Sequence, residues 1–154
     1  MSPLPSSQGM YFEEFQPGQR IVTAGRTVGE SDVLAFAGLS GDFNPIHTDA
    51  EFSKSTPYGQ RIVHGLLCLS IAVGLTMRSG FLGGTVLAFR EIGDWKFVKP
   101  VFLGDTLHAE VEVAETKALP RLHAGTMMLA VTVKNQHGET TMKGNWTALV
   151  ASTP

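Results

Sequence analysis

The sequence predicts an α+β domain in which an antiparallel sheet wraps around a long central apolar helix. Three observations predict it. The run "GLLCLSIAVGLTM" (Gly65–Met77) has almost no polar side chains on any face, and a helix of that kind is buried on every side. After "SGFLGG" the chain turns to strand-like runs, and in one of them Leu107, Ala109, Val111 and Val113 alternate with His108, Glu110 and Glu112. The chain has 154 residues, enough for one domain that buries roughly 68–70% of its unfolded surface. A fully apolar helix needs a wrapper, and a curved antiparallel sheet is the element left to provide one.

The elements follow in order. Residues 1–9, "MSPLPSSQG", lack the basic and apolar regions of a signal peptide and read as a flexible tail. Residues 10–154 read as a single domain. Pro17-Gly18 marks a turn, and "RIVTAGRTV" after it reads as a strand. Ser31 is expected to cap a short helix over "DVLAFAGLS", which Gly41 ends by adopting positive φ. "SGDFNPIHTD" (Ser40 to Asp49) reads as a stiff polar turn, and Asp49 as the cap of a short helix around "AEFSK". The apolar run is short for a strand reading to be ruled out by period, but its length and its Leu, Ala and Met content favour helix. Beyond it, "TVLAFREI", "DWKFVKPV", "TLHAEVEVAETKA", "HAGTMMLAVTVKNQ" and "TTMKGNWTALVAS" give four or five antiparallel strands. Pro100 is expected to end one of them.

Composition excludes several classes of function. The formal net charge is −2 and the cations are scattered, which argues against nucleic-acid binding. Cys68 is the only cysteine, so no intrachain disulfide forms, and a thiol inside an apolar run fits the core of a protein in a reducing compartment. The apolar run is 13 residues long, against roughly 18 or more for a membrane span. A soluble cytoplasmic protein is expected.

The polar turn carries the chemistry. A carboxylate (Asp42) and an imidazole (His47) on one turn can hold a water, take its proton and return one. Pro45 stiffens the turn, and Asn44 can hold it or orient the carboxylate. Asp42, Asn44 and Pro45 alone would be ordinary turn residues; the second half of the pattern makes the difference. "VHGLL" opens the apolar helix without a Ser, Thr, Asp or Asn cap. Its free N–H groups, approached closely at Gly65, suit a developing oxyanion. One half activates water and the other polarises a carbonyl.

"GDFNPIH", followed some twenty residues on by "RIVHGLLCLS", resembles the signature of the MaoC-like dehydratases and R-specific enoyl-CoA hydratases. "YFEEFQPGQ" is similar to that family's opening, and "KFVKPVFLGDTLHAEVEV" to its later strand-turn-strand. The resemblance covers most of the chain. It implies the hot-dog fold, a homodimer, and reversible hydration of trans-2-enoyl-CoA to (R)-3-hydroxyacyl-CoA without metal or redox cofactor. Asp42 and His47 match the catalytic pair, Asn44 the motif asparagine, and Gly65 the backbone donor to the thioester oxygen. His64 matches a motif position, and it could equally cap or pack. Val73 stands where some R-hydratases carry a serine facing the acyl pocket. In a regular helix Leu66, Ser70, Val73 and Met77 share one face, and the part near Gly65 is expected to floor an acyl tunnel.

Three other readings fit fewer residues. A hot-dog thioesterase would use the same oxyanion donor. A non-catalytic acyl-CoA-binding subunit would not need both Asp42 and His47. A two-histidine-one-carboxylate metal site would use Asp42, His47 and His64. No G-x-S-x-G elbow is present for a serine hydrolase.

Overall fold

The alternation read from residues 107–113 becomes the middle of the sheet. The structure, a computed structural model, describes residues 8–154. In β4 (Thr106–Leu119), Leu107, Ala109, Val111 and Val113 are buried, and the residues between them are partly exposed. Strand β4 pairs with β5 (Ala124–Lys134), β5 with β6 (Thr140–Ala151), and β6 with β3 (Val86–Phe97), all antiparallel. Two short strands, β1 (Arg20–Val22) and β2 (Arg26–Thr27), lie along the other side of β4. The order is β1-β4-β5-β6-β3, so β3 forms an edge.

Three expected strands differ in extent. "RIVTAGRTV" breaks into β1 and β2. At the break Thr23 satisfies Ala109 twice: its N–H donates to the Ala109 carbonyl and its Oγ1 accepts the Ala109 N–H, both at 2.9 Å. "TVLAFREI" and "DWKFVKPV" are one strand, β3. The intervening Gly93-Asp94 looks like a turn signal, but here the chain only shifts register, with Asp94 at φ 50°. The strand ends at Phe97, before Pro100, and Val98 and Lys99 both donate to the Thr141 carbonyl (2.8 and 3.1 Å).

Helix α4 (Gly65–Arg78) lies in the curve of this sheet. Leu67, Cys68, Leu69, Ile71, Ala72 and Leu75 join Val111, Leu129, Val131, Trp146 and Ala148 in one core. The helix is not buried on every side, as its composition predicts. Leu66, Ser70 and Gly74, at i, i+4 and i+8, form an exposed stripe, with Leu66 61% exposed. The sheet covers the other faces and leaves this one open. A long helix held in an antiparallel sheet is the hot-dog arrangement that the resemblance implies.

Helix α1 (Glu30–Ser40) begins with Gly29 at the cap, not Ser31. Asp32 provides the reason: its carboxylate accepts the Gly29 N–H (2.9 Å) and pairs with Arg26 (2.6 Å). Gly41 ends the helix at φ 80°, as expected. Of the tail, residues 1–7 lie outside the described residues. Gly9 is buried, and its N–H donates to the Gly83 carbonyl at 2.6 Å. Gly9, assigned to the tail, is thus packed against the domain. Among the described residues, no helix is long and apolar enough to cross a membrane.

Candidate active site

The polar stretch after Gly41 is a chain of caps, not a simple turn. Ser40 Oγ donates to the Phe36 carbonyl (2.7 Å) and accepts the Asp42 N–H (3.2 Å). Asp42 Oδ1 accepts the Asn44 N–H (3.2 Å), and Asn44 Oδ1 accepts the Ile46 N–H (3.3 Å). Asn44 thereby caps a single helical turn, α2 (Pro45–Thr48), with Pro45 at the first position, where a missing N–H costs nothing. Asp49 then caps α3 (Ala50–Lys54) through the Phe52 N–H (2.9 Å). These local bonds fix where Asp42 and His47 stand.

His47 is buried at 7% exposure. Its Nδ1 lies 2.7 Å from the Ile62 carbonyl oxygen, an acceptor, so that nitrogen carries the proton. Nε2 is left as a free base, 3.9 Å from Asp42 Oδ2. Burial holds the His47 pKa below its ordinary value. The bond to Ile62 opposes this, the neighbouring His64 adds to it, and Asp42 opposes it again. His47 is therefore neutral near pH 7 and able to accept a proton. The Asp42 side chain is half-exposed. Arg61 braces the turn: it forks onto Glu30 of α1 and reaches the His47 carbonyl at 3.5 Å.

His64 and Gly65 approach from the start of α4. His64 is 2% exposed, and its Nε2 donates to the Asp42 carbonyl at 2.9 Å. Its ring stacks on His47 with centroids 3.9 Å apart and planes 27° apart. It occupies the cap position of α4, but its side chain accepts none of the helix amides. Cys68 N–H reaches the His64 carbonyl at 3.1 Å, which leaves the earlier amides, Gly65 among them, without a side-chain cap. A β-carbon on Gly65 would meet the Phe97 ring at 2.7 Å, so glycine is what allows this close approach.

His47, Gly65 and Leu66 line one cavity of about 440 Å³. The structure thus brings Asp42, His47, His64, Gly65 and Leu66 to one place, with Asn44 as the brace beneath Asp42. It does not bring Ser70 and Val73 there. The helix rises about 1.5 Å per residue, which carries them roughly 7 and 12 Å beyond Gly65. Ser70 Oγ donates to the Leu66 carbonyl (2.9 Å) and borders a different groove, and Val73 packs against the core. Of the helix face expected to floor a tunnel, only Leu66 borders the cavity. The walls come instead from Tyr58, Phe97, Val98, Val101, Thr141 and Met142. Cys68 also borders the cavity; burial pushes its thiol up to about 12, so it is no nucleophile at neutral pH.

A free imidazole nitrogen and an uncapped helix amide lining one apolar cavity, with a carboxylate 3.9 Å from that nitrogen, can hold a water against a polarised carbonyl compound. The same Asp42, His47 and His64 also have ligand atoms within 4.8 Å of one another, a spacing a cation could use.

A hot-dog domain with this donor set defines a class, and comparison with known proteins gives the family. The family model for the MaoC like domain matches residues 13–135. An (R)-specific enoyl-CoA hydratase of Rhodospirillum rubrum is 33% identical over 143 residues, 91% of each chain. Protein MaoC of Klebsiella aerogenes is 38% identical over 101 residues, 66% of this chain; the chain spans only 30% of that protein's length. A solved structure from Archaeoglobus, described as a monoamine oxidase regulatory protein, superposes with a TM-score of 0.88 at 40% identity, covering 96% of this chain and 97% of that one. The chain belongs to the MaoC-like family.

Proposed function

We propose that the protein adds water to trans-2-enoyl-CoA, giving (R)-3-hydroxyacyl-CoA, and catalyses the reverse dehydration. The observation that carries this reading is the pairing of His47 Nε2 and Asp42 Oδ2 at 3.9 Å, with His47 lining the same cavity as Gly65. Two hydrogen bonds of about 2.8 Å that meet at about 90° on one water span about 4 Å, so a single water can bridge the 3.9 Å gap from one side. In hydration, that water's oxygen bonds to C3 while the pair takes one of its protons. Charge moves onto the thioester oxygen, and the Gly65 N–H donates to it. The pair then returns a proton to C2. The two residues titrate together, so acid and base are roles of the pair. The R configuration rests on the named relative. The apolar cavity walls would take the acyl chain. No cofactor enters this scheme.

Incubation with crotonyl-CoA tests the reading. Loss of the enoyl absorbance with CoA still esterified supports it. Release of free thiol would replace it with a thioesterase, binding without turnover with a carrier subunit, and inhibition by chelators with a metal enzyme.

We also propose a homodimer. Edge strand β3 pairs on one side only and exposes Leu87, Phe89, Ile92 and Phe97. An apolar edge of this length is a site for pairing with another copy. Light scattering at micromolar concentration should give twice the chain mass, and a stable active monomer would refute it.

A further inference from the structure

The hydratase scheme assigns a role to Asp42, His47 and Gly65 but none to His64, which touches all three. Its Nε2–H donates to the Asp42 main-chain carbonyl at 2.9 Å, and its ring lies on His47 at 3.9 Å between centroids. Phe36 of α1 packs against the ring from 4.9 Å. His64 is also the residue from which the Gly65 amide projects.

Its other nitrogen makes the placement unusual. With the proton on Nε2, Nδ1 carries a lone pair, yet Nδ1 is buried with no hydrogen-bond partner among the described residues. A buried polar atom left unpaired lowers stability. For packing alone, the larger but apolar ring of phenylalanine would stack on the same side chain and remove the orphan nitrogen. What phenylalanine would lose is the bond that, among the described residues, ties the start of α4 to the Asp42 turn.

We infer that His64 is a positioning residue: it locks the acid–base turn to the start of α4, so that Asp42, His47 and the Gly65 amide keep one geometry. The inference rests on the hydratase reading above for its kinetic consequence, but not for its structural one. Without the bond, the turn keeps its local caps, the Arg61 brace and the His47–Ile62 contact, none of which reaches α4, and the carboxylate drifts relative to the Gly65 amide. A misplacement of about 1 Å can cost roughly a hundredfold in rate. Substrate binding in the apolar cavity changes much less.

The test compares His64→Gln with His64→Phe. A glutamine side chain can place its amide nitrogen where Nε2 stands and keep the donor. With crotonyl-CoA, H64F should lose kcat by roughly a hundredfold with KM within a few-fold, and H64Q should retain most of kcat. Melting temperature should fall no further in H64F, which keeps an aromatic ring on His47, than in H64Q, which does not, so the loss of activity does not follow stability. Hydrogen exchange gives an arm that needs no activity: the amides of Asn44, Ile46 and His47 should exchange faster in H64F and not in H64Q. If wild-type protein hydrates nothing, the hydratase reading fails while the exchange comparison still decides this one. Equal kcat in H64F and wild type overturns the inference. So do equal losses of kcat and melting temperature in both variants, which is the pattern of simple packing.

Discussion

The β4–β5 ribbon and the Asp42–His47 turn use their hydrogen-bonding groups in opposite ways. In the ribbon, eleven residue pairs from His108↔Lys134 to Leu119↔Ala124 match backbone to backbone, and the side chains are free to sort by polarity. In the turn, the side chains of Ser40, Asp42 and Asn44 serve the backbone. Two valences are left over, His47 Nε2 and Asp42 Oδ2, and both face the same gap. Stability resides in the region that satisfies itself, and chemistry in the region that keeps capacity in reserve.

The comparison breaks if damage to the sheet acts like damage to the turn. Trp146 is fully buried on β6, and Trp146→Ala should cost about 3–5 kcal/mol of stability. Denaturant unfolding measures the loss. The fraction still folded should keep its kcat, because Trp146 does not line the site cavity. A collapse of kcat in folded protein would show that the two regions are not separable.

Gly65→Ala should come next in size. Its methyl group would meet the Phe97 ring at 2.7 Å, and either the ring or the helix start must shift. We expect a fall of roughly 10- to 100-fold in kcat/KM. Phe97 is half-exposed, so the double variant G65A/F97A should recover part of the loss. No recovery would mean that the helix start itself, rather than the ring, is disturbed.

A smaller effect is the dependence on pH. The folded-state pKa of His47 is depressed, chiefly by burial. Protonation is therefore disfavoured in the folded protein. Its contribution to stability is full above the ordinary histidine pKa near 6.5 and is lost as pH falls through the lower folded value. Activity should persist below pH 6.5 and then decline in the same direction. Melting curves from pH 7.5 to 5 for wild type and His47→Gln should show the acid-side slope reduced in the variant. The smallest effect belongs to the exposed Arg20–Glu112 pair on β1 and β4. Glu112→Gln should shift stability by less than about 1 kcal/mol and leave kcat unchanged.

The sheet was legible because its signal is periodic. Leu107 to Val113 alternate, and tertiary packing agrees with the alternation. Helix α4 was legible in type and extent but not in burial, because composition alone does not say which face the sheet leaves open at Leu66, Ser70 and Gly74. Of the candidate site, the juxtaposition of side chains was legible: the sequence put Asp42 and His47 on one turn, and the structure sets them 3.9 Å apart. Its brace was not. The Ile62 carbonyl that sets the His47 tautomer is main chain and leaves no mark on residue type. Phe97, which crowds Gly65, sits 32 positions away on a strand whose end the sequence placed later. Ser70 was assigned to the acyl pocket by helix period, and Val73 by period and by the resemblance. Period gives the face, whereas distance along the axis decides what reaches the cavity.

The central claim is that Asp42 and His47 act on one water as a unit. A double-variant cycle on kcat with crotonyl-CoA measures this directly. Asp42→Asn and His47→Gln should each lower kcat by roughly 10²–10⁴, and the double variant should fall little below the worse single one. All three should remain folded, with KM changed far less than kcat. Either single variant with near-native kcat, or losses that multiply fully in the double, would contradict the account.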